Sequence, residues 1–229
     1  MSSLPKGQEL VWGRSNLRKP TLEGFGRPRR MRGFTLLEMM SVVTIVLIIG
    51  AISINALVPV MRTAHVDNGY NQTLTAIRQT RDYAVGQRQQ YSVTFNNAVT
   101  PNTVTITQTG NGNVLATYPL PTDVAFLAVA GLPAPPNTPD GFGNGTVAID
   151  FDQGIAAGTK NVIYFMPDGS AQDIAGNLNN GVLYVALGNG IDAGTARKSC
   201  HAITVWGATG RIRGWKIDYT GGAPFWRQN

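Results

Sequence analysis

Hydrophobic and polar residues alternate along this chain in three different ways, one after another. From Phe34 to Met61 there are 28 residues with one formal charge, Glu38. A helix rises ~1.5 Å per residue, so about 20 apolar residues cross the hydrocarbon of a bilayer. The run therefore predicts a helix that is apolar on all sides and long enough to span. Gly50 and Pro59 lie inside it. A proline removes a helical hydrogen bond, which predicts a kink near residues 55–59. From residue 62 to about 89 the pattern becomes one-sided. Tyr70, Leu74, Ile77, Arg81 and Ala84 recur at helical spacing, with Arg78, Gln79, Asp82 and Gln87 elsewhere on the wheel. This half should lie against a sheet, with Arg81 at the edge of the buried stripe and Gly86 near a fraying end.

Beyond residue 90 the period drops from 3.6 to 2. Tyr91, Val93 and Phe95 alternate with polar residues, and Val104 and Ile106 repeat the pattern. Further strands are predicted at 113–118, 124–129, 146–151, 161–166, 182–187, 201–206 and 210–217. Asn111-Gly112, Asn180-Gly181, Asn189-Gly190 and Pro167-Asp168-Gly169 supply turn chemistry. Residues 131–145, with four prolines and four glycines, read as a long surface loop. No second hydrophobic helix and no internal repeat are evident. The predicted architecture is α+β: a long N-terminal helix, transmembrane and then amphipathic, packed on a mainly antiparallel β-sheet domain. Four segments result: a basic leader at 1–33, a spanning helix at 34–61, its amphipathic continuation at 62–89, and a β-rich domain at 90–229.

The net charge of +6 suggests a polyanion partner until it is divided along the chain. Residues 1–33 hold eight Lys or Arg against Glu9 and Glu23, so the remaining 196 residues are neutral. That remainder is segregated. Residues 90–196 carry −6, and residues 197–229 carry +5. Arg27, Arg29, Arg30 and Arg32 stand immediately before the apolar run. By the positive-inside rule they hold that end in the cytoplasm and send the C-terminal domain across. Cys200 is the only cysteine, so no intrachain disulfide can form. Beside His201 it is better read as a buried apolar residue than as a metal ligand.

Glu38 does not fit a plain membrane anchor. A carboxylate five residues into a spanning helix is expensive and calls for a partner. A free amine would stand beside it if the chain were cut after Gly33. A secretory signal cleaved after Ala51-Ile52-Ser53 leaves Glu38 unexplained, and so does an uncleaved signal anchor. The basic leader, Gly33, then Phe34-Thr35-Leu36-Leu37-Glu38 and an apolar helix resemble the N-terminus of type IV pilins and type II secretion pseudopilins. The match runs without a gap from Arg32 to Met40. The leader is longer than the family's usual one, which makes Met31 a second candidate start. Phe165-Met166-Pro167-Asp168-Gly169, followed by Gly210-Arg211-Ile212-Arg213, resembles the globular domain of GspH/FimT-type minor pilins and pseudopilins. The resemblance implies cleavage after Gly33 by a prepilin peptidase and methylation of the Phe34 amine. It also implies filament assembly through Glu38, an inner-membrane assembly platform, and a separate ATPase motor. The C-terminal domain would then be periplasmic, and later part of a pilus or pseudopilus.

The residues offer little for catalysis. His65 and His201 are far apart, and Gly141-Phe142-Gly143-Asn144-Gly145 is not followed by the helix a phosphate loop requires. Asp150, Asp152, Asp168 and Asp173 lack the spacing of a calcium loop. No enzyme activity, cofactor or metal is therefore expected. One binding reading stays open beside the structural one. In a strand at 210–217, Arg211, Arg213 and Trp215 share a face and Ile212 and Lys216 the other. Guanidinium groups beside an indole suit phosphate and base. Resemblance to the Gly-Arg-x-Arg motif of FimT-type pilins implicates Arg211 and Arg213 in DNA capture; Trp215 and Lys216 on the same strand complete the candidate set, with Trp206 and Trp226 nearby. The opposing reading pairs this basic strand with the acidic 140–192 region or with a neighbouring subunit, and places Trp215 in the core. For processing, mass spectrometry of the membrane-extracted protein should find a methylated Phe34 at the N-terminus. An N-terminus at Ile54 or Met1 would reject that reading.

Overall fold

A computed structural model of the chain describes residues 33–152, 160–188, 191–220 and 222–229. The expectations for the leader before Gly33 and for the Asn189-Gly190 turn lie outside the described residues. The chain divides into two compact units, Met1–Ile48 and Ile49–Asn229. Helix α1, Leu36–Gln87, begins in the first and ends in the second. It runs through Pro59 without interruption.

The start of α1 is written into the sequence. The Thr35 hydroxyl accepts the Glu38 backbone N–H at 3.2 Å, and the Thr35 carbonyl accepts the Met39 N–H. Thr35-Leu36-Leu37-Glu38 thus has the form of a capping box. Where its side chain is described, every residue from Gly33 to Ala64 is exposed. At Val66 the burial changes. Val66, Tyr70, Thr73, Ile77, Thr80 and Ala84 then form one buried stripe. The stripe is wider than the apolar pattern predicts because two threonines belong to it. Their hydroxyls donate to the carbonyls one turn back, Thr73 to Gly69 and Thr80 to Ala76, and so enter the core satisfied. The helix ends when Arg88 takes a left-handed conformation, φ 53°, two residues short of the expected Gln89.

The β-rich domain holds two antiparallel sheets. The first contains β1 (Tyr91–Asn96), β2 (Thr103–Gln108), β3 (Asn113–Pro119), β6 (Val162–Phe165) and β7 (Ala171–Gln172), in the order β3-β2-β1-β6-β7. The second runs β11-β10-β9-β8-β4, from β11 (Phe225–Gln228), β10 (Arg211–Asp218), β9 (His201–Trp206), β8 (Gly181–Leu187) and β4 (Val124–Phe126), and β5 (Ile149–Phe151) also pairs with β8. The strands expected at 124–129 and 146–151 are each cut to three residues for one reason. β4 takes Val185–Leu187 and β5 takes Gly181–Leu183 on the same edge of β8, so neither can extend without displacing the other. β7, β11 and the short helix α2, Ala193–Lys198, were not expected. Helix α2 did carry a signal: Asp192 caps it, accepting the Gly194 and Thr195 N–H groups, and Arg197 and Lys198 close its last turn.

The core lies between the sheets and under the C-terminal half of α1. Phe95 of β1 meets Phe126 and Phe151 of the second sheet at ring separations of 5.8 and 5.5 Å. Tyr70 of α1 stacks on His201 of β9 at 4.5 Å. Beside it, β10 presents Gly214, where a Cβ would lie within 1.7 Å of the Tyr70 hydroxyl oxygen. Helix and strand touch there only because that position has no side chain. Cys200 is buried, as its type predicts, and burial pushes its thiol pKa up.

Candidate functional site

The strand expected to carry the basic face is β10, and its alternation is as predicted. Gly214 turns toward Tyr70 of α1, while Arg213 and Trp215 take the opposite face. Lys216 lies opposite His201 in the register and shares a shallow depression with it and Thr63. His201 is buried with Nε2 3.2 Å from Asp67 and Nδ1 3.0 Å from the Ser199 carbonyl. Burial holds its pKa below the ordinary 6.5, with Asp67 opposing that shift and Lys216 adding to it.

The face with the arginines is not open. The segment expected to be a surface loop bends back at Thr138–Asp140, and Thr138 and Pro139 are buried. Asp140, in a left-handed conformation at φ 54°, inserts its carboxylate beneath the strand. One carboxylate oxygen pairs with the Arg213 guanidinium and the other accepts the Thr204 hydroxyl proton. The Thr204 oxygen in turn accepts the indole N–H of Trp215 at 3.0 Å. The Asp140 side chain is 4% exposed and that of Arg213 22%. Trp206, across from Arg211 in the register, leans on Phe142 of the same loop at 4.9 Å. Trp226 packs against Tyr184 at 5.7 Å. Arg213 and Trp215 are therefore committed to an internal network, and of the four residues implicated in DNA capture Arg211 alone is fully exposed. Asp140 itself went unnoticed in the sequence. Nothing local distinguishes it from the other turn aspartates, because its partners lie 64 and 73 residues away.

A second junction joins segments that the sequence could only place in order. Arg81 of α1 donates from Nε to the Gly169 carbonyl at 3.3 Å and from Nη2 to the Thr209 carbonyl at 3.2 Å. Pro167-Asp168-Gly169 and Gly210-Arg211 thus meet around one guanidinium. A Cβ at Gly210, whose φ is +57°, would lie 1.9 Å from the Gly169 carbonyl oxygen, so both the torsion and the contact require glycine. Beside this junction is a cleft of about 410 Å³ lined by Arg78, Arg81, Asp82, Arg211 and Ile212. Arg78 and Arg211 form no salt bridge among the described residues.

Two of the aspartates considered for calcium, Asp168 and Asp173, are occupied locally. Asp168 accepts from the N–H and hydroxyl of Ser170, and Asp173 from the backbone and side-chain amides of Asn177. Among the described residues no three His, Cys, Asp or Glu side chains converge on a metal-sized site. At the other end of the chain, the Glu38 carboxylate has no salt bridge among the described residues.

Residues 28–54 match the family model described as the prokaryotic N-terminal methylation motif. The chain carries a prepilin-type N-terminus. The matched segment contains Gly33, Phe34 and Glu38 and runs into the apolar part of α1, which is long and apolar enough to cross a membrane. This supports a pilin-like protein processed as a prepilin. No curated protein and no solved structure matches the chain.

The Asp140 network makes a measurable demand. Asp140→Ala leaves the Arg213 guanidinium without its partner in a half-buried site, and breaking such a pair from one side costs about 3 kcal/mol or more. Denaturant unfolding of Asp140→Ala should show that loss. The double variant Asp140→Ala/Arg213→Met, which also removes the stranded charge, should recover part of it.

Proposed function

We propose that this chain is a non-enzymatic filament subunit, a minor pilin or pseudopilin of a type IV pilus or a type II secretion system. Prepilin peptidase cleaves it between Gly33 and Phe34 and methylates the new Phe34 amine. Helix 34–61 anchors it in the inner membrane, with the basic end cytoplasmic and the β-rich domain periplasmic. An assembly platform and a separate ATPase then move it into a filament of other pilins or pseudopilins. The carrying observation is the surface of α1. Between Phe34 and Met61, seventeen large apolar side chains are exposed among the described residues. Burying one contributes about 1.5–3 kcal/mol, so leaving all of them in water forfeits tens of kcal/mol. That exceeds the ~5–15 kcal/mol net stability of a whole domain. Lipid or neighbouring helices must cover this surface, and the methylation motif selects the pilin solution. The meeting of Pro167-Asp168-Gly169 and Gly210-Arg211 at Arg81 supports a GspH/FimT-type domain, since both segments form one structural unit.

Glu38 supplies the test. Once helices pack together away from water, its carboxylate needs a counter-charge, and a buried charge left unpaired costs roughly 3–5 kcal/mol. The Phe34 amine of a neighbouring subunit meets that need. Glu38→Ala should insert in the membrane at the parent level yet fail to enter filaments, as read by membrane fractionation and by immunoblot of sheared or purified filaments. Normal incorporation of the variant would sink this reading.

A second reading, capture of DNA for uptake, is favoured by the cleft where Arg78 and Arg211 face solvent without carboxylate partners. Contacts to phosphate weaken steeply with salt and carry little sequence preference. In a mobility shift with the full-length protein in detergent, duplex DNA should bind at low salt, and Arg78→Gln/Arg211→Gln should abolish the shift. Lys216→Gln, on the other face of β10, should leave it intact. Equal binding by the arginine double variant rejects DNA capture at this cleft and leaves the filament reading untouched.

A further inference from the structure

We propose that a cleft at the C-terminal edge of the second sheet binds a neutral glycan chain built from hexopyranoses with equatorial hydroxyls. The cleft holds about 570 Å³, within the size range of small-molecule sites. It lies between the 137–138 segment and β11, and its principal walls are Asn137, Thr138, Trp215, Thr220, Phe225 and Trp226. The proposal is independent of the filament reading and concerns residues other than those of the arginine cleft.

Charge narrows the choice of ligand first. No lining residue is charged. Two arginines close to the lining residues in the chain are already paired, Arg213 with Asp140 and Arg227 with Asp218. A phosphate, a carboxylate or an ammonium would therefore lose its hydration here and gain no counter-ion. That argues against nucleic acid, although three aromatic rings could stack bases, because the backbone would find no cation. A purely apolar ligand is disfavoured by the Asn137 amide and the Thr220 hydroxyl on the same walls.

The polar groups point to what remains. Thr138 is 6% exposed and its hydroxyl has no hydrogen-bond partner, and the Trp226 indole N–H is also buried without one. A buried polar group left unpaired costs about 1–3 kcal/mol, which a ligand hydroxyl can recover. The rings are held in place before any ligand arrives. Trp215 is fixed by its bond to Thr204, and Trp226 by its packing on Tyr184. Rigid aromatic surfaces lose little entropy on binding. A pyranose with equatorial hydroxyls has an apolar C–H face for the rings and a rim of hydroxyls for the amide, the threonines and the indole. It matches each feature of the cleft without requiring a charge.

The test uses the full-length protein in a zwitterionic detergent, which has no sugar head group to compete. Cellotetraose and chitotetraose are titrated up to ~10 mM by tryptophan fluorescence, with saturation-transfer NMR on the sugar protons. Binding of at least one of them is expected. Phe225→Ala, which removes a half-exposed ring, should weaken it about tenfold or more, in line with ~1–3 kcal/mol for an aromatic stacking contact. Thr138→Val removes an unpaired hydroxyl at nearly constant shape. It should weaken binding severalfold while the thermal unfolding profile stays at or above that of the parent. The Arg78→Gln/Arg211→Gln variant should bind sugar like the parent. Absence of saturation transfer from both sugars overturns the proposal, as does binding by Phe225→Ala and Thr138→Val equal to that of the parent. Displacement of the sugar by single-stranded DNA would assign the cleft to nucleic acid instead.

Discussion

The helix must satisfy two surroundings with one continuous backbone. Up to Ala64 its described side chains are all exposed, and from Val66 one stripe of them enters a protein core. In the first part, side chains on every face must be apolar, because lipid or other helices can approach from any direction. In the second, the buried stripe alone must be apolar or internally satisfied, and Thr73 and Thr80 qualify by bonding back to the helix. Glu38 is compatible with the first part only with a counter-charge from outside the described chain. The need for partners is thus set by the composition of this helix before any filament is considered.

The globular half is held to the helix by the buried stripe and by contacts of high specificity. Arg81 takes the carbonyls of two turns at once, and Gly214 lets Tyr70 sit against β10 and stack on His201. These contacts explain why a charged residue lies beside the apolar stripe and why a strand carries a glycine at its centre. Neither is a weakness in context. The guanidinium supplies donors to turn carbonyls that would otherwise lack them, and the missing Cβ makes room for a ring.

The second sheet shows how an acidic loop can decide the function of a basic strand. The segment at 131–145 is a loop by composition, yet it carries Asp140 under β10 and fixes Arg213, Thr204 and Trp215 in one network. That network withdraws the Arg213 guanidinium and the Trp215 indole N–H from any phosphate on that face. It also leaves Trp215 as a rigid wall of the neutral cleft beside β11. Beside that network, Arg211 of the strand and Arg78 of the helix stay open to solvent.

The sequence by itself determined the parts whose physics is local. The apolar length of 34–61, the Thr35 to Glu38 cap, the prepilin-type motif, the helical stripe from Tyr70 to Ala84 and the alternation of β1, β2 and β10 all depend on neighbours within a few residues. Tertiary structure alone decided the division into two sheets, the shortening of β4 and β5, and the fate of each arginine. Those outcomes depend on competition between segments far apart in the chain. Two strands contend for one edge of β8, and the Asp140 carboxylate selects Arg213 from 73 residues away. Alternation could put Arg211 and Arg213 on one side of a strand. It could not show that a loop would cover one and leave the other in water, because side-chain spacing carries no information about what packs on top.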